Sequence, residues 1–257
     1  MVFYKTEEEI ELIRQSALIL GKAHGEIARL IKPGVSTLAL DKAAEEFIQD
    51  HGGKPSFKDY NGFPYSLCIS VNSVVVHGFP SNYTLNDGDV ISVDCGVYKN
   101  GFHSDSAYTH AVGNVKPEVQ KLLDVTKESL YKGIEKAVVG SRLGDVGFSI
   151  QEHAEAAGFT VVRELVGHGI GRSLHESPEV PNYGKRGQGV KLQNGLVIAI
   201  EPMVNLGTRH IVQEEDGWTI RTKDNMPSAH FEHTVVVRKD KAEILTTFEY
   251  IEQAKNS

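Results

Sequence analysis

Asp94 and Asp105 stand eleven residues apart on a stretch with the character of a β-hairpin, Val90-Ile91-Ser92-Val93-Asp94-Cys95-Gly96-Val97-Tyr98-Lys99-Asn100-Gly101-Phe102-His103-Ser104-Asp105. β-Forming residues flank an Asn-Gly turn. A two-residue loop at Lys99-Asn100 sets the two acids directly opposite each other; a loop at Asn100-Gly101 makes them diagonal neighbours. Either register puts both carboxylates on one face, because side chains alternate with period two. A three-residue loop without a bulge would part them. Two like charges held that close need a cation between them or a proton on one. Taken alone, the pair also fits a solvated hairpin face, so the weight falls on the rest of the chain.

An internal echo supplies more acids. Leu85-Asn86-Asp87-Gly88-Asp89-Val90-Ile91-Ser92-Val93-Asp94 lines up with Leu192-Gln193-Asn194-Gly195-Leu196-Val197-Ile198-Ala199-Ile200-Glu201, 107 residues later, with four positions identical. The loops at Gly34 and Gly140 repeat at nearly that offset. Glu201 thus becomes the counterpart of Asp94. A further acid, Glu232 in His230-Phe231-Glu232-His233-Thr234-Val235, lies on a strand able to pair with the one carrying Glu201. Two related half-sheets meeting at a seam would bring four carboxylates face to face. These cannot all be ionised at neutral pH without cations, so a metal site is the economical explanation. Oxygen-rich ligands point to Mn²⁺, Fe²⁺ or Co²⁺ rather than a thiolate zinc. An imidazole would complete the coordination, and eleven histidines are available. His24 and His153 fall in expected helices as surface or packing residues, and His51 caps a helix end. His103 and His230 each share a strand face with a candidate acid. His168 stands between glycines just past a strand end, where backbone can approach a ligand closely. His175 follows it by seven residues, and His77 ends a strand before a glycine. Spacing leaves the choice among these open.

The elements that must hold these groups are legible in outline. A helix is expected over 6–31, with Thr6 and Glu9 as a capping box and Lys32-Pro33-Gly34 as its end. A second follows Ser36/Thr37 and stops at Gly52-Gly53. An aromatic-rich irregular segment, 54–65, leads to a strand over 66–77 and then to the acidic hairpin. After Pro117 the order returns: a helix over 118–139 ended by Gly140, a shorter helix from Asp145 to Gly158, and a strand from Thr160 to Val166. A Gly/Pro-rich connection reaches about residue 189, long enough to imply a job. Strands follow around 195–206, 209–214, 218–222, 230–238 and 241–247. The chain therefore reads as one α+β domain, 1–257, built from two pseudo-symmetric αα-β halves, about 6–113 and 117–247. Their antiparallel sheets join, with helices outside, and no linker divides them.

Composition bounds the function. A net charge of −7 and the lack of a basic run argue against a nucleic-acid groove. Two cysteines, Cys68 and Cys95, form neither a disulfide framework nor a CxxC motif, so a reducing compartment is expected. No secretory signal is visible and no 18-residue apolar run exists, and the Asn82-Tyr83-Thr84 glycosylation pattern has no secretory route to use it. The expectation is a soluble cytoplasmic protein with no membrane partner.

Here the motifs carry a family resemblance. Val76-His77-Gly78-Phe79-Pro80, Val93-Asp94-Cys95-Gly96, Ser104-Asp105, Gly167-His168-Gly169-Ile170-Gly171, His175-Glu176, Ala199-Ile200-Glu201-Pro202 and Phe231-Glu232-His233-Thr234 together resemble the methionine aminopeptidases, type I, bacterial-style and without an N-terminal extension. The resemblance spans essentially the whole chain and implies the pita-bread fold, whose pseudo-two-fold agrees with the internal echo. It implies hydrolytic removal of the initiator Met, preferably before a small second residue, by a water or hydroxide between two divalent ions: Co, Mn or Fe, with Zn and Ni as further options. By matching motif, Asp94 and Asp105 would hold one metal and His168 and Glu201 the other, with Asp105 and Glu232 bridging. Glu201 would also manage the nucleophile's proton, His175 would stabilise the tetrahedral oxygen, and His77 would position the scissile peptide. His103 and His230 fall outside the implied ligand set. The Met pocket would be made by Tyr60, Phe63, Cys68, Leu174 and Trp218, with Phe57 nearby. Leu174 departs from the aromatic and Phe57 from the small residue often found there. Asn72, Val74 and Ser228 resemble a Na⁺ or K⁺ site that braces the fold. The implied partners are Met-initiated peptides and nascent polypeptides, with transient ribosome association, and the small chain suggests a monomer. Two rival readings are a proline-directed peptidase of the same fold, whose members usually carry an extra N-terminal domain, and a non-catalytic binding module. The latter should have lost metal ligands, whereas all five positions here hold competent side chains.

Overall fold

The computed structural model describes residues 1–256. Helix α1 (Glu7–Leu30) begins where Thr6 and Glu9 satisfy each other's N–H groups at 3.3 and 3.1 Å, the expected capping box. Its apolar stripe, including Ile13, Leu20 and Ile27, is fully buried. Helix α2 (Thr37–Asp50) is capped by the Ser36 hydroxyl, which accepts from Ala39 N–H. Short strand β1 (Lys54–Pro55) is followed by β2 (Leu67–Val71) and β3 (Val74–Val76). The single strand expected over 66–77 is therefore two. Asn72, at φ 54°, turns the chain between them, because β2 joins the hairpin while β3 pairs elsewhere.

The hairpin is β4 (Val90–Lys99) and β5 (Phe102–Ala111). Asn100 and Gly101 have φ of 52° and 87°, left-handed at both central positions as a type I′ turn requires. This selects the diagonal alternative: Asp94 faces Ala107 and Asp105 faces Gly96.

The second half starts with α3 (Pro117–Ile134) and α4 (Leu143–Ala156). Helix α3 stops five residues before the expected end. Beyond Ile134 the backbone instead pairs with another strand's end, Val139 N–H donating to Arg238 O at 2.9 Å. Then come β6 (Thr160–Val161), β7 (Gly167–Gly169) and β8 (Glu176–Val180). The strand expected over 160–166 shrinks to β6 because the chain leaves its sheet after Val162, sending Leu165 and Val166 into a cavity wall. The long connection before residue 189 contains β8. Strands β9 (Val197–Ile200), β10 (Met203–Asn205), β11 (Ile211–Gln213), β12 (Ile220–Thr222), β13 (Ser228–His230), β14 (His233–Val236) and β15 (Glu243–Ile244) follow, and α5 (Glu249–Lys255) packs on α1.

Strand β9 pairs with β14 and β10 with β13 in one continuous register: Ile200 faces His233 and Met203 faces His230. The ladder breaks at Glu201-Pro202 opposite Phe231-Glu232, because Pro202 has no N–H to give. The Glu201 carbonyl accepts from Asn182 Nδ2 instead, at 3.0 Å. The two halves meet where β5 runs beside this break. Thr109 Oγ1 accepts from His230 N–H and donates to His230 O, both at 2.8 Å. Thr234 Oγ1 does the same to Asp105, at 3.1 and 2.8 Å. Between them Glu232 N–H donates to Ala107 O at 2.9 Å. One core lies beneath α1 and α2 and another beneath α3 and α4. A third mixes both halves, with Ile10, Phe57 and Phe102 beside Leu174, Val197 and Val236.

Candidate metal centre

The ladder break and the hairpin converge on one point. Asp94 and Asp105 come from β4 and β5, His168 from β7, Glu201 from the end of β9 and Glu232 from the residue before β14. All five line the same cavity. Asp105, His168 and Glu232 offer ligand atoms within 4.8 Å of one another. His168 Nε2 lies 3.6 Å from Glu201 Oε1 and 4.0 Å from Asp105 Oδ2. Its other nitrogen, Nδ1, donates to Gly169 O at 2.9 Å, leaving Nε2 a free lone pair aimed at the acids. The flanking glycines have a different reason from the one expected. A Cβ on Gly167 would strike Ala199 O and one on Gly169 would strike Ser177 O. Neighbouring strands, not a ligand, demand the space.

Burial drives the electrostatics. It pushes the Asp94 carboxyl up to about 7 and Glu201 up to about 8. Burial again, with the neighbouring acids' charges added, lifts Asp105 and Glu232 well above the usual carboxylate range. Burial lowers His168 to about 3, so its imidazole is neutral. Asp94 Oδ1 and Glu232 Oε1 are buried without a hydrogen-bond partner among the described residues. Unpartnered carboxylate oxygens beside a free imidazole lone pair are costly as they stand. They are what a hard or borderline divalent cation would satisfy, so the donor set fits a metal.

The cavity, about 240 Å³, continues from this centre into an apolar, aromatic wall. Every residue expected in the Met pocket lines it: Tyr60, Phe63, Cys68, Leu174 and Trp218, with Phe57. Phe63 meets Trp218 edge-on at 5.2 Å. Cys68 faces Asp94 across β2 and β4, and burial keeps its thiol protonated by raising its pKa. Asn61, Val76, Leu165, Val166 and Met203 also line the wall; none was expected in the pocket, since Val76 and Met203 read as strand residues and the others lie outside the quoted motifs. At the mouth, His175 Nδ1 and the Tyr60 hydroxyl are 2.8 Å apart, and the His175 ring lies 4.2 Å from that of His168. His77 sits at φ 57°, a left-handed conformation uncommon outside glycine, with its ring edge-on to Trp218 at 6.3 Å.

The other histidines weighed in the sequence separate cleanly. His103 is engaged away from the centre, with Ser56 Oγ at 2.9 Å. His24 is fully buried and donates to Ser106 O, while His153 meets Glu128 on the surface and His51 bonds Phe47 O. His230 is at the centre after all: its Nε2 lies 3.5 Å from Glu201 Oε2. Of the three residues expected around a monovalent cation, Asn72 and Ser228 touch through Ser228 N–H and Asn72 O at 3.0 Å. Val74 pairs with Arg221 of β12 nearby.

Residues 11–239 match metallopeptidase family M24. The chain belongs to this family. Within it the chain is 54% identical to a methionine aminopeptidase of Clostridium perfringens, over 96% of its own length and 99% of that protein's. It is 48% identical to methionine aminopeptidase 1 of Bacillus subtilis, over 96% and 99%. The crystal structure of a methionine aminopeptidase from Thermotoga maritima superposes with a TM-score of 0.94 at 43% identity, covering 96% of this chain and 100% of that one. A prolidase from Pyrococcus furiosus, 24% identical with a TM-score of 0.78, shares the fold; the match covers 95% of this chain and 65% of that one. The chain is thus a metallopeptidase with the pita-bread fold, among the methionine aminopeptidases.

Proposed function

We propose that this protein removes the initiator methionine from Met-initiated peptides and nascent polypeptides by hydrolysis, preferring a small second residue. The observation that carries this reading is the continuity of one cavity, which joins five metal-competent side chains to an aromatic-walled apolar recess. Asp94 and Asp105 would hold one divalent ion and His168 and Glu201 a second, with Asp105 and Glu232 shared. Mn²⁺, Fe²⁺ and Co²⁺ suit this oxygen-rich set, with Zn²⁺ and Ni²⁺ as further candidates. Bound there, the metals would lower the pKa of water and polarise the scissile carbonyl.

The chain's own groups do the rest. The Glu201 carboxylate, with its raised affinity for a proton, takes the one shed by the attacking water. Tyr60 O–H donates to His175 Nδ1, which leaves the ring proton on Nε2 to face the oxygen that gains charge on the reacting carbonyl. His77 would position the scissile peptide and attend its departing nitrogen. Phe63, Trp218, Leu174, Tyr60 and Cys68 exclude water from an unbranched Met side chain. Asn72, Val74 and Ser228 would brace the fold around a Na⁺ or K⁺ ion. The same reading takes 1–257 as a single domain, supported by the core shared between halves. It places the protein in the cytoplasm as a monomer that visits the ribosome transiently, without nucleic-acid or membrane binding of its own. No helix among the described residues is long and apolar enough to cross a membrane.

The test is cleavage of Met-Gly-, Met-Lys-, Leu-Gly- and Ala-Pro-initiated peptides by metal-stripped protein resupplied with Mn²⁺, Fe²⁺ or Co²⁺, read by mass spectrometry. Metal-dependent loss of Met from the Met-Gly peptide alone is the expected result. Cleavage of Ala-Pro instead would assign a proline-directed pocket. No cleavage with metal bound would leave a binding module.

A further inference from the structure

One imidazole at the centre is given no task by the proposed reading. The His230 side chain is 2% exposed. Its Nε2 is buried without a hydrogen-bond partner among the described residues. It faces Glu201 Oε2 at 3.5 Å, while Oε1 of the same carboxylate faces His168 Nε2 at 3.6 Å. The carboxylate is thus bracketed by two imidazoles, one on each oxygen. The backbone that carries His230 is fixed. Its N–H and carbonyl are both tied to the Thr109 hydroxyl at 2.8 Å, and β13 pairs it with Met203 of the cavity wall. Against an ionised carboxylate oxygen a ring nitrogen is attractive as a donor, whereas a lone pair facing it calls for a cation between the two. His168, by contrast, has given its proton side to Gly169 O and keeps a lone pair for a metal.

We propose that His230 is a positioning residue for Glu201: its Nε2–H donates to Oε2, turning the carboxylate so that Oε1 is presented to a metal beside His168. This rests on the proposed reading of Glu201 as a metal ligand. A divalent ion held by Oε1 would keep Oε2 turned toward this donor. His230 sits two residues before Glu232, and the ladder break between β10/β13 and β9/β14 lets both side chains reach one point.

The test starts from metal-stripped protein titrated calorimetrically with Mn²⁺, with Met-Gly peptide cleavage measured in parallel. His230→Leu and His230→Met remove the donor and keep apolar bulk; His230→Gln keeps an N–H. The donorless variants should bind Mn²⁺ about 10–100-fold more weakly, as loss of a ligand-orienting partner does. Their kcat should fall while KM stays within about threefold, and His230→Gln should restore both to near wild type. Donorless variants that match wild type in both readouts overturn the proposal. So does a His230→Gln variant as impaired as His230→Leu, with altered visible absorption when loaded with Co²⁺, since the imidazole would then be a ligand itself. A measurement on the unmutated chain covers the case in which the apolar variants do not fold. In Zn²⁺-loaded protein with ¹⁵N-labelled histidine, the His230 signal, identified by its loss in His230→Gln, should carry its proton on Nε2. A proton on Nδ1 overturns the assignment. Wild type that takes up no Mn²⁺ overturns the metal reading and this proposal together; wild type that binds it alongside indifferent variants overturns this proposal alone.

Discussion

A histidine acts through whichever ring nitrogen its surroundings leave free, and the imidazoles around this centre differ in that respect. His168 spends Nδ1 on Gly169 O and His175 meets the Tyr60 hydroxyl through Nδ1; in the proposed mechanism Nε2 keeps a lone pair in the first and carries a proton in the second. His175→Ala should therefore leave metal content unchanged and lower kcat about 10²–10³-fold, the usual cost of a lost oxyanion donor. Metal analysis beside steady-state cleavage checks it, and an undiminished kcat would remove His175 from that role. His24, on the buried face of α1 with Nε2 donating to Ser106 O at 2.9 Å, reports on stability instead. Burial lowers it from 6.5 to about 4. Between those values the unfolded chain binds a proton that the native chain refuses, so native stability falls as pH drops through that window and is fully present above it. His24→Gln keeps a donor for Ser106 O and cannot titrate. From pH 7 to 4 the wild type should lose up to about 3 kcal/mol relative to this variant, read from urea unfolding of both metal-stripped proteins; parallel pH curves would refute it. At this scale the sequence was most informative: the five acids and imidazoles stand in compact motifs. His230 was not legible as a partner of Glu201, because nothing within its own strand shows the cross-strand break that brings the two together.

Elements decide how closely those side chains can meet. Gly167 lies in β7 where an added methyl group would strike Ala199 O of β9, and these two strands carry His168 and lead into Glu201. Gly167→Ala should push them apart, costing about 1–3 kcal/mol of stability as overpacking does. It should also weaken Mn²⁺ binding, although no ligand is altered. Thermal unfolding and calorimetric titration would show both, and metal affinity equal to wild type would mean the strand spacing does not set the site. Helix starts were readable because Thr6 with Glu9 and Ser36 act on their own first turns. The end of α3 was not, since the pairing of Val139 with Arg238 belongs to tertiary structure. The hairpin register hung on one choice between Lys99-Asn100 and Asn100-Gly101. Positive φ at both central residues favours the pair with a glycine, and the structure follows that preference.

At the scale of the molecule, the two halves are joined by pairing of β3 with β12 and by hydroxyl bridges along the seam. Thr109 and Thr234 each tie a strand of one half to a strand of the other, and the four carboxylates gather on the cavity side of that seam. Without a cation the acids are neutral or mutually repelling, and two of their buried oxygens find no protein partner. A divalent ion would replace that unfavourable cluster with a cross-link between the hairpin of the first half and the β9/β14 pair of the second. Because the unfolded chain holds no such cluster, binding free energy becomes folding free energy. Mn²⁺ at a hundredfold excess over its dissociation constant should stabilise the protein by about 2.7 kcal/mol. For a chain of this size that is a rise in unfolding temperature of roughly 5–10 °C, reversed by a chelator. Glu232→Gln removes one of the acids reached from both halves and should abolish most of the rise. Scanning calorimetry with and without Mn²⁺ measures it for both proteins. A wild type that binds Mn²⁺ yet unfolds at the same temperature would show that the ion does not fasten the halves together.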